Sequence, residues 1–229
     1  MSTLSRTENR VLTFQAREAL KGKWGSGVGA AAVYLVLLFA LQFLSIVIGI
    51  GIAGSSSTGE SLKLSTDIIN ILFSILIGGP VAAGLAIFAL SLSRRQDARI
   101  SQLFSGFSIY GLCVSAAMLQ FIFVFLWSLL LIIPGIIATL SYSMTYFIIA
   151  DNNSITALEA ITKSKEMMRG NKWKFFCLGL RFLGWSLLCV VTLGIGFLWL
   201  TPYMSVSSAQ FYDDLKENNS ATLATQITG

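Results

Sequence analysis

The chain has 229 residues, of which 55% are hydrophobic and 12% are charged, and its formal net charge is +5. A soluble domain carries roughly 25% charged residues, so this composition excludes an ordinary water-soluble globule and indicates a protein solvated mostly by lipid. The sequence contains no histidine, which excludes Ser-His-Asp hydrolysis, histidine-ligated zinc and imidazole proton relays. The basic residues flank apolar runs and form no aromatic-rich patch, so we do not expect nucleic acid as a partner.

Residues 1–24 are polar and have a helical pattern. Ser5-Arg6-Thr7-Glu8 fits a capping box. One face of the helix then carries small and apolar side chains, namely Leu12, Ala16, Ala19 and Leu20. We predict a cytoplasmic amphipathic helix that ends at Gly22 and lies on the membrane surface. A solvated tail is the alternative.

Residues 25–215 contain six apolar stretches, and a helix needs about 20 apolar residues to span a bilayer. The fold class predicted from them is all-α, a polytopic membrane protein with about six transmembrane helices. The predicted spans are Val28–Ile52, Ser65–Leu92, Ile109–Ile133, Ile136–Ala150, Phe175–Val191 and Phe197–Tyr212. The fourth is short for a span. Residues 216–229 are polar and aperiodic, which predicts a disordered cytoplasmic tail.

Glycine and proline interrupt the apolar stretches. Gly78-Gly79-Pro80 lies inside the second stretch and predicts a kink. Pro134-Gly135 divides the third from the fourth, and Leu193–Gly196 divides the fifth from the sixth. The third and fourth stretches therefore form a tight helical hairpin around Pro134-Gly135.

A pattern of surface helix, glycine, apolar helix, break and second apolar helix recurs three times. The closing glycines are Gly22, Gly106 and Gly170, and the clearest echo joins Trp127-Ser-Leu-Leu130 to Trp185-Ser-Leu-Leu188. The pattern predicts three hairpin-like repeats. Transporters are built from such repeats, but duplication of a packing unit produces the same pattern without transport.

The polar segment between the fourth and fifth spans predicts a second cytoplasmic amphipathic helix. Thr156 followed three residues later by Glu159 indicates its start. Glu159 and Lys163 are spaced for an ion pair, and Gly170 is placed to end the helix.

Lysine and arginine are distributed unequally between the two sets of loops. Five precede the first span, three lie between the second and third, and five lie from Lys163 to Lys174, whereas the opposite loops hold only Lys63. Thirteen against one predicts that both termini face the cytoplasm.

Several motifs together resemble a known family. They include Leu126-Trp-Ser-Leu-Leu-Leu-Ile-Ile-Pro-Gly-Ile136, Tyr142-Ser-Met144, Ala150-Asp151, Ser164 with Gly170, and Pro202-Tyr203 through Phe211-Tyr212. The chain resembles, over about Leu12 to Leu215 and most specifically from Leu126 onward, the integral membrane proteins of domain-of-unknown-function family 975. The resemblance implies a polytopic membrane protein of the kind found in Gram-positive bacteria. It implies no catalytic or ligand-binding residue, and Arg181 stands where a small polar residue is expected.

Five residues are the candidates for functional, lipid or partner contacts. Arg181 is the one charge well inside an apolar span; it either snorkels to lipid phosphate or pairs with Asp151 or another acidic group that lines a cytoplasm-facing cavity. Gln120 is expected to hydrogen-bond between helices. Lys172 and Lys174 belong to a basic cluster that either binds anionic lipid headgroups or only anchors the topology.

These observations favour a non-enzymatic membrane protein with an accessory or regulatory role in the envelope of a bacterial cell. Stress response, export and antimicrobial immunity are examples of that role, with a membrane protein as partner and no metal or cofactor. A small transporter or permease-like subunit with a site near Arg181 is the alternative. An enzyme is the weakest reading, because the spans contain no acidic cluster and the chain has no nucleotide-binding loop.

Overall fold

The computed structural model describes residues 5, 7–53 and 67–228, and over these residues the chain is all-α. Its helices are α1 (Asn9–Leu20), α2 (Trp24–Ala53), α3 (Asp67–Ser93), α4 (Tyr110–Leu130), α5 (Ile132–Tyr142), α6 (Thr145–Asp151), α7 (Ala157–Met167), α8 (Lys172–Val191) and α9 (Phe197–Thr228). A 3₁₀ helix, Ile100–Ile109, leads directly into α4.

In the described part of the chain, five segments are long and apolar enough to cross a bilayer. They are Trp24–Ile48, Asp67–Ser93, Ile100–Leu130, Ile132–Asp151 and Lys172–Val191. The sixth predicted span, Phe197–Tyr212, forms the first half of α9 and is not among them. Its side chains Val206, Ala209 and Phe211 are fully buried. A helix surrounded by protein needs less apolar surface than one facing lipid, which explains why this stretch is helical without being strongly apolar.

The backbones of α3 and the 3₁₀ helix touch where they cross. A Cβ at Gly84 would lie 1.9 Å from the carbonyl oxygen of Leu103, and one at Gly106 would lie 1.9 Å from that of Pro80. The prediction that Gly106 closes a surface helix is therefore wrong, because this glycine lies inside the 3₁₀ helix. Its role is to let two backbones approach.

Gly78-Gly79-Pro80 does not end α3. A π-helical turn, Ser74–Gly78, precedes Pro80, which occupies the first turn of the α-helical section Gly79–Ser93. The wider turn accommodates the missing proline N–H and the bulk of its ring. The predicted irregularity is therefore present as a π turn within a continuous helix.

The chain reverses at Leu131, three residues before Pro134. Leu131 is extended, with φ −163° and ψ 150°, and α5 already begins at Ile132. The predicted boundaries at Ile133 and Ile136 are wrong, because proline fits the first turn of a helix, where its missing N–H has no partner to lose.

Two helical hairpins are closed by glycines of the same kind. A Cβ at Gly135 would lie 2.2 Å from Ser128 Oγ, and one at Gly196 would lie 2.6 Å from Cys189 Sγ. In both hairpins the glycine follows its contact by seven residues. The two Trp-Ser-Leu-Leu motifs do not share this register, because Ser186 precedes its glycine by ten residues. The three-repeat architecture stays a prediction.

The predicted fourth span is two helices, α5 and α6, because the chain breaks at Ser143 and Met144. Ser164, fully buried on α7, repairs the break. Its hydroxyl accepts a hydrogen bond from the Met144 N–H at 3.2 Å and donates one to the Ser141 carbonyl at 2.8 Å. One side chain thus satisfies two backbone groups that a continuous helix would have paired.

We expect Ser164→Ala to lower the stability of the fold measurably. Each buried polar group left without a partner costs about 1–3 kcal/mol, so the detergent-solubilised protein should unfold several degrees lower in a thermal scan. Ser186→Ala is the matched control, because its hydroxyl only donates to the Phe182 carbonyl of its own helix. Equal melting temperatures for the two variants would contradict a bridging role for Ser164.

Helix α7 follows its sequence pattern. Thr156 Oγ1 accepts a hydrogen bond from the Glu159 N–H at 3.3 Å, and Glu159 pairs with Lys163 at 3.0 Å. Gly170 has φ +83° and ends the segment as predicted. The start, the ion pair and the end of this helix are therefore confirmed.

Helix α1 buries the predicted stripe, but against protein. Leu12, Ala16 and Leu20 are at most 1% exposed, and α1 packs on α3, α8 and α9. Gly22 closes the helix with φ +80°. Its position on the membrane surface stays a prediction.

The capping box is wrong. Glu8 is the N-cap and makes no side-chain capping bond, while the hydroxyls of Ser5 and Thr7 bond to Asp214 on α9. At the other end of the chain, α9 continues to Thr228. The described part of the predicted disordered tail, residues 216–228, is therefore helical.

Candidate functional site

The basic segments of the sequence meet at one end of the helix bundle. We call it the polar end and define it as residues 5, 7–23, 93–97, 151–174 and 210–218. Lys23 Nζ donates to the Gln96 carbonyl at 2.7 Å, and Asn9 Nδ2 donates to the Lys174 carbonyl at 2.9 Å. These contacts place the segments predicted to be cytoplasmic on a common face.

Arg94 is the centre of an ionic cluster at the polar end. Its Nη1 lies 2.7 Å from Asp151 Oδ1, its Nη2 lies 2.7 Å from Asp213 Oδ1, and its Nε donates to the same oxygen at 3.2 Å. The second oxygen of Asp151 accepts from the Tyr212 hydroxyl at 3.1 Å and from Lys216. These five residues, the Arg94 cluster, join the ends of α3 and α6 to α9.

Arg94 carries a fixed positive charge. The hydrogen bond from its side chain to Asp213 is the largest influence on the pKa of Arg94 and raises this pKa above its ordinary value, while burial acts in the opposite direction. A guanidinium stays protonated under all conditions in which a protein folds. The arrangement therefore suits an ionic tie between helix ends, and Arg94 cannot serve as a proton donor.

A second network fastens the N-terminal segment to α8 and α9. Asp214 accepts hydrogen bonds from the hydroxyls of Ser5 and Thr7. The Lys174 ammonium donates to the carbonyls of the same two residues, at 3.1 Å for Ser5. The Ser5 N–H donates to Asn171 Oδ1 at 2.8 Å. We call this network the N-terminal clasp. The adjacent Asp213 and Asp214 thus serve different networks, which makes this turn of α9 the hub of the polar end.

The predicted pair of Arg181 with Asp151 is wrong. Asp151 is occupied by Arg94 and Lys216. Arg181 is exposed, and no described carboxylate lies within ion-pair distance of it. Its side chain lines a groove of about 610 Å³ that it shares with Arg17. Snorkelling toward phosphate agrees with this position.

The remaining candidates have separate roles. Lys174 belongs to the N-terminal clasp, so its ammonium is engaged with protein. Lys172 is half-buried and forms no described ion pair, and its contact with lipid stays a prediction. Gln120 Nε2 donates to the Tyr142 carbonyl at 3.5 Å, the outer limit of a hydrogen bond, and so links α4 to α5. The structure does not bring these three residues into one site.

Within the described residues, no group of three or more histidine, cysteine, aspartate or glutamate side chains is arranged to hold a metal ion. The cysteines Cys113, Cys177 and Cys189 are free thiols. The polar end and the two arginines of the groove are therefore the candidate functional features of the described residues.

The family described as "Protein of unknown function (DUF975)" matches the chain over residues 118–219. This match, over 102 of the 229 residues, supports assignment to DUF975. The match confirms the resemblance carried by the motifs from Leu126 to Tyr212. The resemblance over residues 12–117 lies outside the match. No curated protein and no solved structure matches the chain.

The DUF975 region contains most, but not all, of the polar end. Asp151, Lys174, Asp213 and Asp214 lie inside it, whereas Arg94 lies before it. Both networks therefore join the DUF975 region to the preceding half of the chain.

Sequence reasoning missed the roles of Arg94, Tyr212, Asp213 and Lys216. The available signal was an arginine directly after one apolar helix and two consecutive aspartates after another. By itself, each of these charged groups indicates only where an apolar helix leaves the membrane. Which helix ends adjoin decides the pairing, and that is a property of the tertiary structure.

Proposed function

We propose that this chain is a non-enzymatic integral membrane protein of the bacterial plasma membrane with an accessory or regulatory role in the cell envelope. Stress response, export and antimicrobial immunity are the settings that such a role would serve. In this proposal six segments cross the membrane, both termini are cytoplasmic, and the activity is exerted on a membrane protein partner.

The observation that carries the proposal is the use made of the charged side chains. Arg94, Lys174, Asp151, Asp213 and Asp214 bond to one another or to the N-terminal segment, and each bond joins two separate segments of the chain. Groups committed to such ties are unsuited to binding a substrate and releasing it. A chain that uses its ionic groups to hold its own shape fits a protein that presents a surface.

Helix α2 offers the most suitable surface for a partner. In the most apolar 18-residue stretch of α2, only 11% of the residues are buried inside the protein, whereas 39% are buried in the corresponding stretch of α3. Phe39, Phe43 and Val47 recur at intervals of four residues, so they share one face, and all three are exposed. A partner helix packing along this stripe would cover aromatic side chains that otherwise face only lipid.

The test is photocrosslinking in native membranes. We expect a photoreactive residue at Phe39 to give a discrete protein adduct whose mass identifies one partner. The matched control is the same photoreactive residue at Leu187 on α8, which is 63% exposed against 72% for Phe39. Adducts with lipid alone at both positions would refute the proposal, as would identical protein adducts at both, since these indicate random collision.

A small transporter or permease-like subunit is the second candidate, and one feature favours it. A groove of about 660 Å³ lies between α2, α3, α4 and α5, and its walls include the polar side chains of Tyr34, Ser74, Gln120, Ser128 and Thr139. The π-helical turn of α3 borders the groove, and such turns are frequent at functional sites. Among the described residues no charged side chain lines it, which is the reason we place transport second. Copurification of a small solute with no protein partner would reverse the order.

A further inference from the structure

The groove that contains Arg17 and Arg181 has two chemically different ends. Its floor is the α8–α9 hairpin, and the segment formed by α1 and the start of α2 closes it at the polar end. Arg181 and Leu188 lie seven residues apart on the same face of α8, and Thr192 lies near the turn. The groove thus begins with cations and becomes apolar toward the hairpin.

Both arginines are exposed, and neither has a carboxylate partner among the described residues. This distinguishes them from Arg94, which bonds two aspartates. Arg181 also lies within the candidate span Lys172–Val191. An unpaired arginine inside a span is energetically costly. An anion between the two guanidinium groups would supply the missing partner.

The walls of the groove are aromatic. Trp24, Trp185 and Trp199, three of the five tryptophans in the chain, line it together with Phe182 and Leu200. Tryptophan is the residue that favours the boundary between headgroups and acyl chains. The volume of about 610 Å³ lies within the range of sites for small molecules.

The length of the groove corresponds to one leaflet of a bilayer. Arg181 and Thr192 are eleven residues apart on α8 and its end, which is about 16 Å at 1.5 Å per residue. Half of a hydrocarbon core is about 15 Å. Arg181 is the tenth residue of the 20-residue span Lys172–Val191, so its guanidinium has to extend toward the polar end to meet a headgroup. The apolar part of the groove between Arg181 and Thr192 is then long enough for an acyl chain.

We propose that this groove is a binding site for an anionic glycerophospholipid. The phosphate lies between Arg17 and Arg181, and one acyl chain runs past Trp185 and Leu188 toward the hairpin turn. Because Arg17 belongs to α1 and Arg181 to α8, the bound lipid joins the N-terminal helix to the DUF975 region. The site is separate from the exposed face of α2, so the lipid-binding proposal does not depend on the proposed membrane protein partner.

The test uses quenching of tryptophan fluorescence by brominated lipids in mixed micelles with the full-length protein. We expect brominated phosphatidylglycerol to quench at a concentration about 20-fold lower than brominated phosphatidylcholine, because its headgroup keeps a net negative charge for the two arginines, whereas the choline ammonium cancels the charge of the phosphate in phosphatidylcholine. Arg17→Gln with Arg181→Gln should abolish this preference, and Arg17→Lys with Arg181→Lys should retain most of it. Arg10→Gln with Arg169→Gln is the control, since it removes the same charge outside the groove and should leave the preference intact.

Two further measurements keep the test decisive. Leu188→Phe fills part of the apolar half of the groove without adding a tryptophan, and it should weaken quenching by both lipids without changing the melting temperature. Glycerol phosphate, which has no acyl chain, should not compete at millimolar concentration. Equal quenching by the two lipids, loss of preference in the Arg10/Arg169 control, or full competition by glycerol phosphate would each overturn the assignment.

Discussion

Gly106→Ala should prevent stable folding. A Cβ at this position would lie 1.9 Å from the carbonyl oxygen of Pro80 and 3.0 Å from the backbone nitrogen of Gly84. Overpacking against side chains costs about 1–3 kcal/mol, occasionally more. Here the obstacle is backbone, which moves only if α3 and the 3₁₀ helix separate, so the loss should exceed that range. The measurement is the yield of monodisperse protein and its melting temperature after detergent extraction.

The matched control lies five residues away. A Cβ at Gly111, at the start of α4, meets nothing within 4 Å. Gly111→Ala should therefore be neutral or slightly stabilising, because alanine has the higher helix propensity by about 1 kcal/mol. If Gly106→Ala folds as well as Gly111→Ala, the crossing of α3 with the 3₁₀ helix is not as close as the structure has it.

Arg94→Gln should produce the second large effect. It leaves Asp151 and Asp213, whose side chains are 13% and 21% exposed, without their shared guanidinium. Hydrogen bonds to charged groups contribute about 1.5–3 kcal/mol each, and a carboxylate left unpaired adds a desolvation cost. We expect a loss of about 2–4 kcal/mol in the free energy of unfolding. The free energy of unfolding is measured by titration with SDS, with tryptophan fluorescence as the signal that monitors unfolding.

The neighbouring arginine controls for charge. Arg95 is exposed and forms no ion pair with any described residue, so Arg95→Gln should change the unfolding free energy by less than about 0.5 kcal/mol. A double-mutant cycle of Arg94→Gln with Asp213→Asn should then give a coupling of at least about 1 kcal/mol. Additive effects in this cycle would show that the two residues act independently.

Both effects arise because the chain joins distant parts at single points. Gly84 and Gly106 bring α3 and the 3₁₀ helix into backbone contact. In the Arg94 cluster, Arg94 bonds to aspartates that lie 57 and 119 residues further along the chain. Lipid offers no hydrophobic force that drives helices together. Close packing at glycine and charged ties at the bundle end therefore carry a large part of the specificity of the fold.

The sequence predicted where the candidate site lies in the bundle, but it did not predict which residues pair there. The excess of basic residues in alternate loops identified the end of the bundle at which Arg94, Lys172 and Lys174 lie. The predicted Arg181–Asp151 pair failed because sequence distance carries no information on which helix ends are neighbours. Ser164 shows the same limit, since a serine in an amphipathic helix gives no sign that it repairs a break in another helix.

The sequence alone determined that the protein is helical and belongs in a membrane, because hydropathy, proline, glycine and loop charge act locally and each span solves its own hydrogen-bonding problem within its own backbone. It also determined both ends of the segment around α7, since capping by Thr156 and the left-handed Gly170 depend on adjacent residues. Only the tertiary structure decided which aspartate meets Arg94, why Gly106 must be glycine, and that Arg17 and Arg181 face one groove. Those relations join residues far apart in the chain, and they exist only after the helices have packed.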